Sequence, residues 1–155
     1  MLCGIAAKTE ISEDRPIYNW TMPSVVEEVL NSPAWRRRAR KGLGAFFIFT
    51  GITHFWVPKM FMSIMPKWVP YPEAAVFLSG AGELAGGLGL FSQKTRKLSA
   101  MELILLLVLV FPANIQMLLW AKKFPVPVWV LWARLPFQPL LIWLLWWSSV
   151  ESEQK

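Results

Sequence analysis

The sequence predicts an all-α protein: an integral membrane four-helix up-down bundle preceded by a short N-terminal amphipathic helix. Three observations carry this expectation. Apolar residues make up 55% of the 155-residue chain and charged residues 17%, against about 25% charged in a soluble domain. Four apolar stretches follow residue 41, and crossing the hydrocarbon core takes about 20 apolar residues as a helix. Backbone polar groups in lipid have to be satisfied within the segment, so these stretches read as helices rather than strands.

The elements follow in chain order. Residues 1–41 form a polar N-terminal extension without the basic and apolar regions of a secretory signal. Ser24 and Glu27 have capping-box spacing directly after Pro23. They predict a short helix over about 24–31, ended by Pro33. Val25, Val26, Val29 and Leu30 fall on one side of it, with Glu27 and Glu28 opposite. That pattern suits a surface helix lying at the membrane or, more sharply, a docking helix for another subunit. The membrane domain covers 42–148, and 149–155 form a short polar tail. Its first helix runs from Gly42 to Val57. Pro58, Pro66, Pro70 and Pro72 forbid one continuous helix after it, but Phe61–Met65 fits a short interfacial helix. The second helix runs from Pro72 to Phe91, the third from Leu98 to Ala121, and the fourth from Val128 to Trp147. A basic turn at 92–97 and a proline-rich turn at 122–127 join the last three. Four antiparallel helices on short loops make an up-down bundle.

The formal charge is +6. In a soluble protein that excess would raise nucleic acid as a partner. Here Lys and Arg flank apolar runs, so the bilayer is the expected partner and nucleic acid is not. Arg36, Arg37, Arg38, Arg40 and Lys41 precede the first helix, and Lys94, Arg96 and Lys97 occupy the second turn. The other two loops carry two lysines each. The positive-inside rule therefore puts both termini of this multi-pass chain on the cytoplasmic-equivalent side. Trp56, Trp68, Trp120 and Trp129 would mark the outer interface, and Trp35, Trp143, Trp146 and Trp147 the inner one.

Polar groups at membrane depth are costly, and each is a functional-site hypothesis. Thr50 and His54 share a face of the first helix. Ser79, Glu83 and Gly87 share a face of the second, and Gly82 and Gly86 form a GxxxG contact on the neighbouring face. Asn114 lies on the third helix. Arg134 and Gln138 lie on the fourth, Arg134 about 9 Å in from its outer end at 1.5 Å per residue. Together His54, Glu83, Asn114, Arg134 and Gln138 predict one polar cluster in the outer half of the bilayer. A Glu83–Arg134 ion pair is its expected core. Such a pair either fixes helix register or lines a pocket in which His54 moves a proton and Arg134 holds an oxyanion or a quinone carbonyl. Glu102 reads as an interfacial residue beside the basic turn.

Other chemistry is excluded. The chain has one Cys and one His. Cys3 has no disulfide partner, so a disulfide framework, a zinc–thiolate site and a CxxC centre fall together. His54 alone gives no bis-His haem. No metal site and no required cofactor are expected, and no self-sufficient catalytic motif is present.

Several strings resemble the DoxX family of small four-helix membrane proteins. They are Gly51-Ile52-Thr53-His54-Phe55, Pro70-Tyr71-Pro72-Glu73, Ser79-Gly80-Ala81-Gly82-Glu83-Leu84 with Gly86-Gly87-Leu88-Gly89-Leu90, Phe111-Pro112-Ala113-Asn114, and Arg134-Leu135-Pro136-Phe137-Gln138. Pro58, Phe61, Met65-Pro66, Thr95-Arg96 and Met117 fit the same pattern. The resemblance covers about residues 42–147. It implies a redox-associated membrane protein, linked to quinone and sulfur metabolism, with its polar positions at His54, Glu83, Asn114, Arg134 and Gln138. The thiol-active relatives use paired cysteines, which this chain does not have. Two functions compete. One is a membrane protein that binds a quinone or similar small amphipathic ligand in the polar pocket. The other is a non-catalytic accessory subunit docked to a larger membrane complex through its Trp-rich helices and N-terminal tail. A small transporter is disfavoured by the lack of an inverted repeat.

Overall fold

The computed structural model of the chain describes residues 24–123 and 127–151. Cys3 and the end of the polar tail lie outside them, as do the side chains of the Ser24–Glu27 capping box. The described residues are helical, with no strand among them. The helices are α1 (Ser24–Asn31), α2 (Pro33–Trp56), α3 (Pro58–Ser63), α4 (Pro72–Gly89), α5 (Arg96–Leu119) and α6 (Val128–Leu145). A 3₁₀ turn follows α5 at Ala121–Lys123, and a π turn extends α6 over Trp146–Val150. Two helical segments, 96–119 and 128–150, are long and apolar enough to cross a membrane.

Proline sets the starts. Pro33, Pro58 and Pro72 each stand in the first turn of a helix, where the missing N–H is no loss and φ is already helical. Pro58 therefore begins the short helix three residues earlier than the expected Phe61–Met65. Between Pro70 and Pro72, Tyr71 takes a left-handed backbone (φ 53°), a costly corner for a non-glycine residue. It turns the chain into α4. Pro112, Pro136 and Pro139 stand inside α5 and α6 without ending them.

The largest difference from expectation lies at the front of α2. The basic run 36–41 forms its first turns, so the helix starts nine residues before Gly42. Arg, Lys and Ala are good helix formers, and the run has acceptors waiting. Arg36 donates to the Trp147 carbonyl at 3.0 Å and Arg40 to the Ser148 carbonyl at 2.9 Å. Two guanidiniums thus bind the carbonyl end of the last helix, where the macrodipole is negative. Burial, then the nearby guanidiniums of Arg96 and Arg37, pull the Arg40 guanidinium below its usual range. The carbonyl of Leu30, at the end of α1, accepts from both Arg36 Nε and Trp147 Nε1 at 3.0 Å. Trp147 is therefore 7% exposed. It is a buried joint between α1, α2 and α6 rather than an interfacial marker. Ser149 and Val150, placed with the polar tail in the sequence, are buried too.

The four long helices touch in chain order: α2 on α4, α4 on α5, α5 on α6, and α6 with its π turn back on α2. Each neighbour runs antiparallel. Gly44 meets Gly87 while Gly51 meets Gly80, and Gly82 and Gly86 meet Leu106 and Leu103. The α2–α4 contact is backbone against backbone. A Cβ on Gly51 would lie 2.9 Å from the Gly80 carbonyl oxygen, and one on Gly87 would lie 2.9 Å from the Gly44 carbonyl oxygen. Gly44/Gly51 and Gly80/Gly87 are each spaced by seven, two helical turns, so both pairs sit on one stripe. The expected GxxxG pair makes its close contact with α5, where the Glu102 carboxyl also lies against Gly82 and Gly86. Two apolar cores result. The larger contains Phe47, Leu90, Leu103, Leu107, Leu141 and Leu145. The smaller contains Ile64, Met117 and Leu131.

Candidate functional site

A cavity of about 440 Å³ lies between the two cores. Its lining takes Phe47, Leu107 and Leu141 from the larger core and Ile64 from the smaller. His54, Glu83, Asn114, Arg134 and Gln138 all line it, so one polar residue or more reaches it from each of the four long helices. The pattern behind this is local. Thr50 and His54 lie one turn apart on α2, as do Ser79 and Glu83 on α4 and Arg134 and Gln138 on α6. Each pair presents a single face. The partners those residues choose differ from the sequence reading.

On the α2–α4 wall, His54 Nδ1 donates to the Thr50 carbonyl at 2.9 Å and lies 3.8 Å from Glu83 Oε2. Both residues are 8% exposed. The imidazole stacks on Phe61, with ring centroids 3.8 Å apart. Phe61 comes from α3, so the short helix supplies a face of the site. The Thr50 hydroxyl lies beside the Glu83 carboxyl, yet Oε2 is buried without a hydrogen bond. The close glycine contact explains the pairing. A Cβ on Gly80 would lie 2.7 Å from His54 Cβ, so α4 can bring Glu83 against His54 only because residue 80 has no side chain.

On the α5–α6 wall, Asn114 Nδ2 donates to Gln138 Oε1 at 2.8 Å, and Gln138 Nε2 donates to the Leu107 carbonyl. Arg134 Nη1 donates to Met117 Sδ at 3.4 Å. The expected Glu83–Arg134 ion pair does not form. Glu83 is drawn to the opposite wall by the α2–α4 contact, and Arg134 is left with a thioether. Between the walls the lining is aromatic and aliphatic, including Phe46, Phe137 and Val110. Among the described residues no cluster of three or more acidic, His or Cys side chains is placed to hold a metal ion.

Chemically, the cavity offers a carboxyl–imidazole dyad on one side and a guanidinium beside an amide pair on the other. Sequence reasoning found the five polar residues. It missed Phe61 as part of the wall, Met117 as the arginine's partner and Gly80 as the residue that admits the dyad. The seven-residue glycine spacing was the available signal for the last of these.

The chain belongs to a family described as a domain of unknown function, DUF8561, which matches residues 43–149. No curated protein and no solved structure matches the chain.

Proposed function

We propose that the chain is a DoxX-like, multi-pass membrane protein, a four-helix bundle with both termini on the cytoplasmic-equivalent side. Its cavity binds a quinone or a similarly small amphipathic ligand. The observation that carries this reading is the convergence of five polar residues from four helices on one largely apolar cavity. In lipid, such groups are expensive unless they pair or serve a ligand. The membrane setting has its own support. Only 22% of each of the two most apolar helical windows is buried, whereas the core helix of a soluble protein is mostly buried. Large apolar side chains are exposed on the remaining long helices too, as with Phe49 and Ile52 on α2 and Leu78 and Leu88 on α4. Water opposes so extensive an apolar surface. The flanking Lys and Arg support the assigned sidedness. The redox association rests on the likeness of the strings around His54, Glu83, Asn114 and Arg134.

In this reading, His54 and Glu83 handle protons, while Arg134 and Asn114 orient the ligand's polar end. The test is a purification in mild detergent with decylubiquinone added. Glu83→Gln and Arg134→Met should each lower ligand retention by at least about tenfold, a difference of 1.4 kcal/mol or more. Yield and elution profile should be unchanged. Loss of folding in both variants instead would make the two residues structural and sink the binding role.

A second reading, an accessory subunit of a larger membrane complex, is favoured by one observation. Val25, Val26 and Val29 of α1 are exposed together. Deleting residues 1–33 would then free the protein from its partners and leave the α2–α6 packing intact. Undiminished co-purification of those partners would remove the tail as an anchor.

A further inference from the structure

We propose that the ligand's head is an anion, a carboxylate in chemical class, seated on Arg134. The inference rests on the cavity reading above and narrows it.

Arg134 is half-buried and lines the cavity. A guanidinium offers five N–H donors in a planar fork. Here it donates to one thioether sulfur, a weak acceptor. Among the described residues no carboxylate comes within ion-pair distance of it. Its neighbours on the same wall are neutral amides that bond each other and bring no negative charge. Gln138 Oε1 accepts from Asn114, and Gln138 Nε2 is spent on the Leu107 carbonyl. Glu83 is the one acid among the lining residues, and it is held 3.8 Å from His54 on the opposite wall. The α2–α4 glycine contact keeps it there.

A cation in apolar surroundings is costly until oxygen acceptors meet it. A carboxylate presents two parallel oxygens that match the fork and bring the compensating charge. A neutral carbonyl brings one oxygen and no charge. Beyond the head, Phe46, Phe137, Val110 and Leu141 form an apolar lining suited to an alkyl chain. The occupant this describes is a carboxylate amphiphile of the size of a short fatty acid.

The full chain, purified in non-ionic detergent, is titrated separately with laurate, methyl laurate and decylubiquinone, and bound adducts are counted by native mass spectrometry. The expected result is that laurate is retained at least about tenfold better than its methyl ester, as loss of a charge-assisted bidentate contact implies. Arg134→Met should abolish the preference for laurate over its methyl ester. Arg134→Lys, a charge without a fork, should fall between. Equal retention of laurate and methyl laurate by the unmodified chain overturns the anion assignment but leaves the cavity as a binding site, and needs no variant to fold. A preference for decylubiquinone over laurate overturns it in favour of a neutral head. A laurate preference that survives in Arg134→Met overturns it in favour of another cation. Retention of none of the three overturns the cavity reading itself.

Discussion

Replacing Gly51 by leucine is expected to leave no folded, monodisperse protein in detergent. An added Cβ there would stand 2.9 Å from the Gly80 carbonyl oxygen, 2.9 Å from Leu84 Cγ and 3.0 Å from the Leu84 nitrogen. Two of these three neighbours are backbone and the third is the branch carbon of a side chain packed beside it, so nothing can swing aside. The two helices would have to separate, and α4 would carry Glu83 away from His54. Even Gly51→Ala should cost about 1–3 kcal/mol, the usual range for overpacking. Gly42 is the control. A Cβ there meets nothing within 4 Å, so Gly42→Ala should be neutral or stabilise by up to about 1 kcal/mol through helix propensity. Unfolding midpoints in SDS titration, read beside elution profiles, check all three. A Gly51→Leu variant with an unshifted midpoint would show that backbone contact does not set the α2–α4 spacing.

The second large effect belongs to Trp147. Its ring stacks on Trp143 at 5.8 Å and 7°, and it lies 5.3 Å from the Arg36 guanidinium carbon. Its indole N–H satisfies the Leu30 carbonyl. Trp147→Ala removes all three contacts and opens a void where α1, α2 and α6 meet. A cost of about 3–5 kcal/mol is expected, typical of a buried aromatic. Limited proteolysis between α1 and α2 should become faster at the same time. Its neighbour Trp146 is 51% exposed, and Trp146→Ala should stay within about 0.5 kcal/mol of the parent. Equal effects of the two substitutions would mean that the joint does not hold α1.

What could be read from the residues, and what could not, divides along a physical line. The four long helices were legible because each needs an apolar run and each run is closed by proline or charge. The start at Pro72 was legible from φ, and the same rule at Pro58 would have corrected the expected Phe61–Met65 helix. The five polar residues of the cavity were legible because a polar atom amid apolar sequence is conspicuous one residue at a time. Their partners were not. Whether Glu83 meets His54 or Arg134 depends on how far α4 is turned about its own axis, and the glycines fix that turn. Glycine has no side chain to advertise which face it serves, so the Gly82/Gly86 spacing stood out while the face of Gly80/Gly87, which meets the α2 backbone, did not. The basic run before Gly42 was misread for a different reason. Arginines there satisfy a topological rule, and that sufficient explanation concealed their second use as donors to the end of α6.

That second use bears on biosynthesis. A ribosome delivers Arg36 and Arg40 long before Trp147 and Ser148, the residues whose carbonyls they bind, which lie 111 and 108 positions later. Until the last helix emerges, Arg36 has only the local Leu30 carbonyl, and the carbonyls of Trp147 and Ser148 that bind Arg36 and Arg40 are missing. Closure of the ring is thus a late event, and its slow step is the search between segments at opposite ends of the described chain. A nascent chain stalled before residue 147 would hold every helix but leave the ring open.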